Sequence, residues 1–212
     1  MALILALESS CDDLAAAVVR DGVEVLASVV QSQDAVHAPY GGVVPELASR
    51  DHVRHLHSTV SAALARANVA LEQIDAIAVT SGPGLIGSLL VGLSFAKALA
   101  YRLRKPLVSV HHIEGHLASA RLGEQPLALP FLGLVVSGGH TALYWVETLA
   151  SARLLGQTRD DSAGEAFDKV AKRLGLGYPG GREVDLHARR GRADAFAFPR
   201  PMLQEPGLAM SF

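Results

Sequence analysis

The sequence predicts an α/β fold laid down as two successive units, and three observations point there. Half of the 212 residues are hydrophobic and 19% are charged, enough apolar material for a sizeable core and too little charge for disorder. Up to about residue 120, short apolar runs alternate with longer segments of helical apolar spacing, in the order β-β-β-α-β-α-β. After Gly123-Glu124-Gln125-Pro126, which reads as a linker, a hairpin restarts the pattern.

The elements follow in order. Leu3–Leu7 is an apolar strand that ends in the polar turn Glu8-Ser9-Ser10-Cys11-Asp12-Asp13. Ala15–Val19 and Val23–Val30 complete a meander through Asp21-Gly22. From Pro45 to Ala67, Val53, Leu56, Val60 and Leu64 recur at helical spacing, and Pro45 suits the first turn, where its missing N–H costs little. Ile74–Val79 is a buried strand, Ser81-Gly82-Pro83-Gly84 turns the chain, and Ile86–Leu103 is a helix apolar nearly all round, predicted to pack on several sides. Pro106–Val110 is the next strand, read as buried. In the second unit Phe131–Val136 and Ala142–Val146 flank the turn Ser137-Gly138-Gly139-His140-Thr141. A helix from Ser162 to about Leu174 precedes the glycine-rich Gly175–Gly181, after which the chain reads as polar and irregular. The units are predicted as 1–120 and 121–212. Both open with a hairpin and a polar turn, which suggests an internal duplication whose second copy is unfinished.

Bulk properties exclude several classes. A net charge of −2 gives no general attraction to nucleic acid or anionic membranes, so any such contact needs a local patch. The single cysteine, Cys11, excludes an internal disulfide and fits a reducing compartment. Met1–Glu8 lacks a basic flank and is too short for a signal peptide. The apolar stretch Leu85–Ala100, broken by Gly87, Gly92 and Lys97, is too short to span a bilayer, so a soluble, cytoplasmic protein is expected.

His111-His112-Ile113-Glu114-Gly115-His116 is the densest chemistry in the chain. His112 and His116 are four apart, so on a helix their rings share a face and could ligate one metal ion; an exposed histidine turn is the alternative. The consecutive glycines after Ser137 would let backbone N–H groups form an anion nest, or would serve a hairpin turn needing positive φ. Ser81–Gly84 could cradle an anion ahead of a helix, or allow close strand–helix packing. Ser162-x-x-Glu165 is a capping box rather than a catalytic pair. Asp168 either points toward a ligand or belongs to a solvated face with Lys169 and Lys172. Asp12 and Asp13 suit a cation or water near phosphate, or simple turn initiation. Arg50, His52, Arg54, His55 and His57 give one helix a basic side, and Arg182, Arg189, Arg190 and Arg192 form a second cluster; both could be solvated faces.

Taken in order, these motifs resemble one family. Glu8-Ser9-Ser10-Cys11-Asp12, Tyr40–Arg50, Ser81-Gly82-Pro83-Gly84-Leu85, His112-x-x-x-His116, Ser137–Thr141, Asp161–Lys169 and Tyr178-Pro179-Gly180-Gly181 together resemble the TsaD family of tRNA threonylcarbamoyladenosine transferases along essentially the whole chain. The resemblance implies an actin/Hsp70-like fold of two α/β lobes flanking a ligand cleft, the first complete and the second truncated. It implies transfer of the threonylcarbamoyl group from threonylcarbamoyl-adenylate to N6 of the adenosine beside the anticodon of ANN-decoding tRNAs, with release of AMP. One divalent metal ion, iron or zinc, would be held by His112 and His116. Val135, Val136, Ser137, Gly138 and Gly139 would hold the phosphate and carbamoyl end of the donor, and Asp168 and Gly181 would also bind substrate. TsaB- and TsaE-like proteins are the implied partners.

Two departures stand out. Asp13 replaces the glutamate usual in the family. Family members also continue well past Ser211-Phe212, so the third metal ligand, an aspartate, is expected beyond residue 212 and this chain alone is expected to be inactive. No Ser-His-Asp or Cys-His arrangement is visible, and no catalytic side chain is assigned. Two other readings are a non-catalytic TsaB-like scaffold and a generic ATPase or kinase of the same superfamily.

Overall fold

Leu3–Glu8 (β1) and Leu14–Arg20 (β2) alternate inward and outward side chains, and their antiparallel register sets Leu5 against Val18 and Leu7 against Ala16, all four buried. Glu24–Gln31 (β3) pairs antiparallel with β2 and completes the predicted meander. A short helix, Asp34–His37 (α1), leads toward Pro45–Ala67 (α2), whose limits match the sequence prediction. Asn68, in the left-handed conformation at φ 53°, ends α2. Ala76–Gly82 (β4) and Leu107–His111 (β5) run parallel to β1, with Ile86–Leu103 (α3) between them, and His112–Ser119 (α4) follows. The sheet order is therefore β3-β2-β1-β4-β5.

The computed structural model describes residues 1–122 and 125–212. The chain divides into residues 1–37 with 43–127 and residues 38–42 with 128–212. The predicted division falls at residue 120 and the observed one after residue 127, with Leu127 bonded to the residues just past α4. Leu127 N donates to Ala120 O at 3.0 Å, and Arg121 Nη1 donates to Leu127 O at 2.9 Å. Of the expected linker, Gly123 and Glu124 lie outside the described residues.

Three packing expectations need correction. The buried stripe of α2 runs through Ala48, His52, Leu56, Val60 and Ala63, while Val53 is exposed; small and polar residues carry a face that large apolar residues alone do not reveal. α3 buries one narrow face, Ser88, Gly92, Ala96 and Ala100, and exposes Ile86, Leu90 and Tyr101 instead of packing all round. By length and composition α3 is long enough to cross a membrane, and here its small-residue face lies on the sheet, with Gly92 against Ser9 and Val79. β5 is an edge strand with Leu107 and Val108 exposed, not a buried one.

The second unit opens with Phe131–Val136 (β6), Thr141–Thr148 (β7) and Ser151–Gln157 (β8), an antiparallel meander like β1-β2-β3. Two helices follow, Ala163–Arg173 (α5) and Gly180–Ala188 (α6). β8 falls in a stretch to which the sequence reading gives no element, and most of α6 falls where it reads as irregular: the apolar residues of Ser151–Gln157 are sparse, and Gly180-Gly181 weakens the helical signal at its start. Along β6, Phe131 and Val135 are buried, while Leu132, Leu134 and Val136 form an exposed apolar face.

Candidate functional site

Because β4 and β5 run parallel to β1, the carboxyl ends of all three strands share one edge of the sheet. Ligands of open α/β sheets bind outside such an edge. Glu8 ends β1, Gly82 ends β4, and His111 ends β5 immediately before α4. Ile113 and Leu117, four apart, are buried and anchor α4. The same four-residue spacing then sets His112 and His116 side by side.

Their Nε2 atoms are 3.1 Å apart, with the rings nearly perpendicular at 77°. Two nitrogens each about 2.1 Å from one ion, and this far from each other, subtend roughly 95° there, between the octahedral and tetrahedral angles. The pair fits a divalent ion as two ligands. Among the described residues, no group of three or more His, Cys, Asp or Glu side chains could hold a metal. His111 and Glu114 are exposed and stand apart from the pair.

On its far side, His112 Nδ1 lies 3.1 Å from Glu8 Oε2 and 3.0 Å from Ser10 Oγ. Thr80 Oγ1 donates to Glu8 Oε2 at 2.6 Å, and Ser10 N donates to Glu8 Oε1 at 2.5 Å. Burial pushes the Glu8 carboxyl up, but hydrogen bonds from His112, Ser10 and Thr80 outweigh it and hold the group down at about 2. His116 is shifted toward the neutral form, first by burial and then by the neighbouring His112. Glu8, Ser10 and Thr80 were not singled out from the sequence as site residues. The available signal was that each of these strands ends in polar residues, which matters only once the strand order places the ends together.

The turn Ser81–Gly84 favours close packing over an anion cradle. A Cβ on Gly84 would collide with the Ser10 backbone, and Leu85 N donates to Ser10 O at 2.7 Å. The proposed basic side of α2 also changes. His52 is fully buried, its Nε2 on Cys11 O at 2.9 Å and its Nδ1 on Gln33 Nε2 at 3.0 Å, while Gln33 Oε1 meets His37 Nε2 at 3.0 Å. His55 pairs with Asp51 at 3.0 Å, which leaves Arg50, Arg54 and His57 as the exposed basic residues. The Cys11 thiol is pushed up to about 12 by desolvation and by Asp12, although the residue as a whole is exposed.

In the second unit, α5 organises the remaining candidates. Ser162 caps α5, accepting from Glu165 N at 3.1 Å, and donates to Gly138 O at 2.7 Å. The Glu165 carboxylate turns to Lys169 at 3.2 Å. Gly164 N donates to Ser137 O at 3.2 Å, and a Cβ at Gly164 would come within 2.5 Å of that oxygen. The β6–β7 turn therefore sits directly on the first turn of α5. Neither Gly138 nor Gly139 has positive φ, so the turn does not need glycine for its backbone angles. Its amides face inward: Gly139 N and His140 N donate to Ser137 Oγ at 3.3 and 3.0 Å. Added Cβ atoms at Gly138 and Gly139 meet nothing within 4 Å, so the glycines border open space. Val135 is buried and Val136 exposed.

Asp168 projects from the middle of α5 and Oδ1 accepts from Gly180 N, the first residue of α6, at 2.7 Å. Lys169 pairs with Asp161 and Glu165 rather than with Asp168. Gly181 is half-buried and a Cβ added there would meet Phe167 Cβ only at 3.9 Å, whereas Gly180 is the glycine that packing requires, since its Cβ would meet Ala171 Cβ at 2.6 Å. Gly164 was missed from the sequence, because close backbone approach is invisible before the helices are placed.

A meander-plus-parallel sheet with its polar cluster at the strand ends, followed by a second meander, defines an actin/Hsp70-like α/β protein with an incomplete second lobe. Residues 24–212 match the family model TsaD: tRNA N6-adenosine threonylcarbamoyltransferase, and the chain belongs to that family. It is 59% identical over 210 residues to the tRNA N6-adenosine threonylcarbamoyltransferase of Syntrophobacter fumaroxidans, covering 99% of this chain and 62% of that protein. The protein of the same name from Trichlorobacter lovleyi is likewise 59% identical, with 61% of its length covered. The chain thus spans about 62% of the length of such relatives. Among solved structures it is similar to YeaZ from Pseudomonas aeruginosa at 23% identity, with a TM-score of 0.48 over 77% of this chain and 67% of that one.

Proposed function

We propose that this chain forms the first lobe and the start of the second in an enzyme that transfers threonylcarbamoyl from threonylcarbamoyl-adenylate to N6 of the adenosine beside the anticodon of ANN-decoding tRNAs. The observation that carries this reading is the family match across residues 24–212. The paired Nε2 atoms of His112 and His116, 3.1 Å apart at the strand ends, support a metal-assisted version of it. The transfer is proposed for the whole protein, working in the cytoplasm with TsaB- and TsaE-like partners, and not for this chain alone, which we expect to be inactive by itself.

The roles follow from chemistry. Adenylate is a good leaving group, so the donor needs positioning and charge stabilisation rather than a protein nucleophile. His112 and His116 would hold one divalent ion, iron or zinc, which supplies Lewis acidity to a carbonyl when bound. A further ligand is proposed to come from outside residues 1–212. Val135 to Gly139 would receive the phosphate and carbamoyl end, where the open space at Gly138 and Gly139 admits a ligand against the backbone. Asp168 on α5 and Gly181 at the start of α6 would orient the donor. The acceptor adenosine would be splayed from the anticodon loop, where an unstacked base is reachable.

The test is nucleoside analysis of tRNA incubated with the whole protein, its partners and threonylcarbamoyl-adenylate. Threonylcarbamoyl-adenosine formed by the wild type and lost in His112→Ala supports the reading. ATP hydrolysis without any modified nucleoside would contradict it and favour a generic ATPase or kinase.

A further inference from the structure

We infer that Glu8 is the positioning residue of the histidine pair. From the end of β1 its carboxylate holds His112 in the tautomer whose Nε2 lone pair is turned toward His116 and a shared divalent ion. The inference rests on the reading of His112 and His116 as metal ligands.

Neutral imidazole carries one proton, on Nδ1 or on Nε2, and only the bare nitrogen can ligate. The nitrogen that carries it is decided by what the other one meets. His112 Nδ1 meets Glu8 Oε2 at 3.1 Å and Ser10 Oγ at 3.0 Å. An ionised carboxylate only accepts, so the Nδ1 proton is drawn to Glu8 and Nε2 becomes the ligating atom. Glu8 is itself fixed from two further sides. Thr80 Oγ1, buried at the end of β4, donates to Oε2 at 2.6 Å, and Ser10 N donates to Oε1 at 2.5 Å. Both Glu8 oxygens therefore have donors in place, and the carboxylate cannot swing round to join the ligands without releasing all of them. The arrangement ties the metal-ligand geometry on α4 to two strands of the sheet, β1 and β4.

Cobalt(II) titration of the whole protein, followed by visible absorption, tests this in the wild type and in Glu8→Gln, Glu8→Ala, Thr80→Val and His116→Ala. Nitrogen-15 spectra of the metal-free ring of His112 report the tautomer. The expected result is loss of binding in His116→Ala, a 10- to 100-fold weaker affinity in Glu8→Ala, and a smaller loss in Glu8→Gln and Thr80→Val. The His112 proton should sit on Nδ1 in the wild type and redistribute to Nε2 in Glu8→Ala. If Glu8→Ala misfolds by circular dichroism, Thr80→Val and Glu8→Gln carry the same comparison. Unchanged cobalt affinity and tautomer in these Glu8 and Thr80 variants, with binding lost in His116→Ala, would overturn the role of Glu8 and leave the ligand assignment standing. A wild type that binds no cobalt would overturn the ligand assignment itself, and the role of Glu8 with it.

Discussion

Asp168 Oδ1 accepts a 2.7 Å hydrogen bond from Gly180 N, so a carboxylate on α5 caps the first residue of α6. Negative charge at a helix N-terminus is favourable and satisfies one of its orphan donors. Asp168→Ala should cost about 1 kcal/mol in urea denaturation, and Asp168→Asn, which keeps an acceptor, should cost less. Equal losses in the two variants would show that the cap is not what Asp168 contributes to stability.

Gly164 and Gly139 should respond in opposite ways to the same substitution. Gly164→Ala drives a methyl group into Ser137 O and Gly138 N, at 2.5 and 2.7 Å. It should destabilise the second unit by about 1–3 kcal/mol. Gly139→Ala has open space and ordinary φ, and should leave stability nearly unchanged. Chemical denaturation of the two variants side by side checks the contrast.

Burial of His52, whose Nδ1 lies on Gln33, predicts a pH dependence. His52 is shifted below the ordinary histidine value of 6.5, chiefly by burial and against the opposing pull of Cys11 O and nearby carboxylates. The unfolded chain therefore takes up a proton that the folded chain resists. Stability should be fully present above about pH 6.5 and fall as pH drops through that value toward the lower folded pKa. His116 shifts in the same direction, so the decline should persist in His116→Ala if His52 contributes to it. Urea midpoints between pH 8 and 5 measure it, and a flat profile in that variant would contradict the assignment to His52.

Cys11 should be a slow nucleophile. With its thiol pushed up to about 12, little thiolate exists near neutrality. Alkylation by iodoacetamide at pH 8 should run roughly a hundredfold slower than for free cysteine, after allowing for the greater intrinsic reactivity of a high-pKa thiolate. Mass spectrometry of labelled protein over time gives the rate.

Much of the fold was legible because periodicity reports it well. The limits of α2 and α3, the opening meander and the β6–β7 hairpin all emerged from apolar spacing and turn residues. What periodicity cannot report is which small or polar residues a helix buries. Val53 belongs to the apolar spacing of α2 yet is exposed, while His52 next to it is the buried residue. The edge position of β5 depends on strand order, which no single strand encodes. At the site, His112 and His116 were legible from their spacing, since one helix fixes both. Glu8, Ser10 and Thr80 were not, because their proximity to His112 is made by parallel strand pairing across about a hundred residues of chain.

The central claim is that His112 and His116 hold one metal ion. Calorimetric titration of the whole protein with zinc in a non-chelating buffer tests it most directly. The account predicts one ion per wild-type chain and no measurable binding in the His112→Ala/His116→Ala double variant. The same stoichiometry and affinity in both proteins would contradict it.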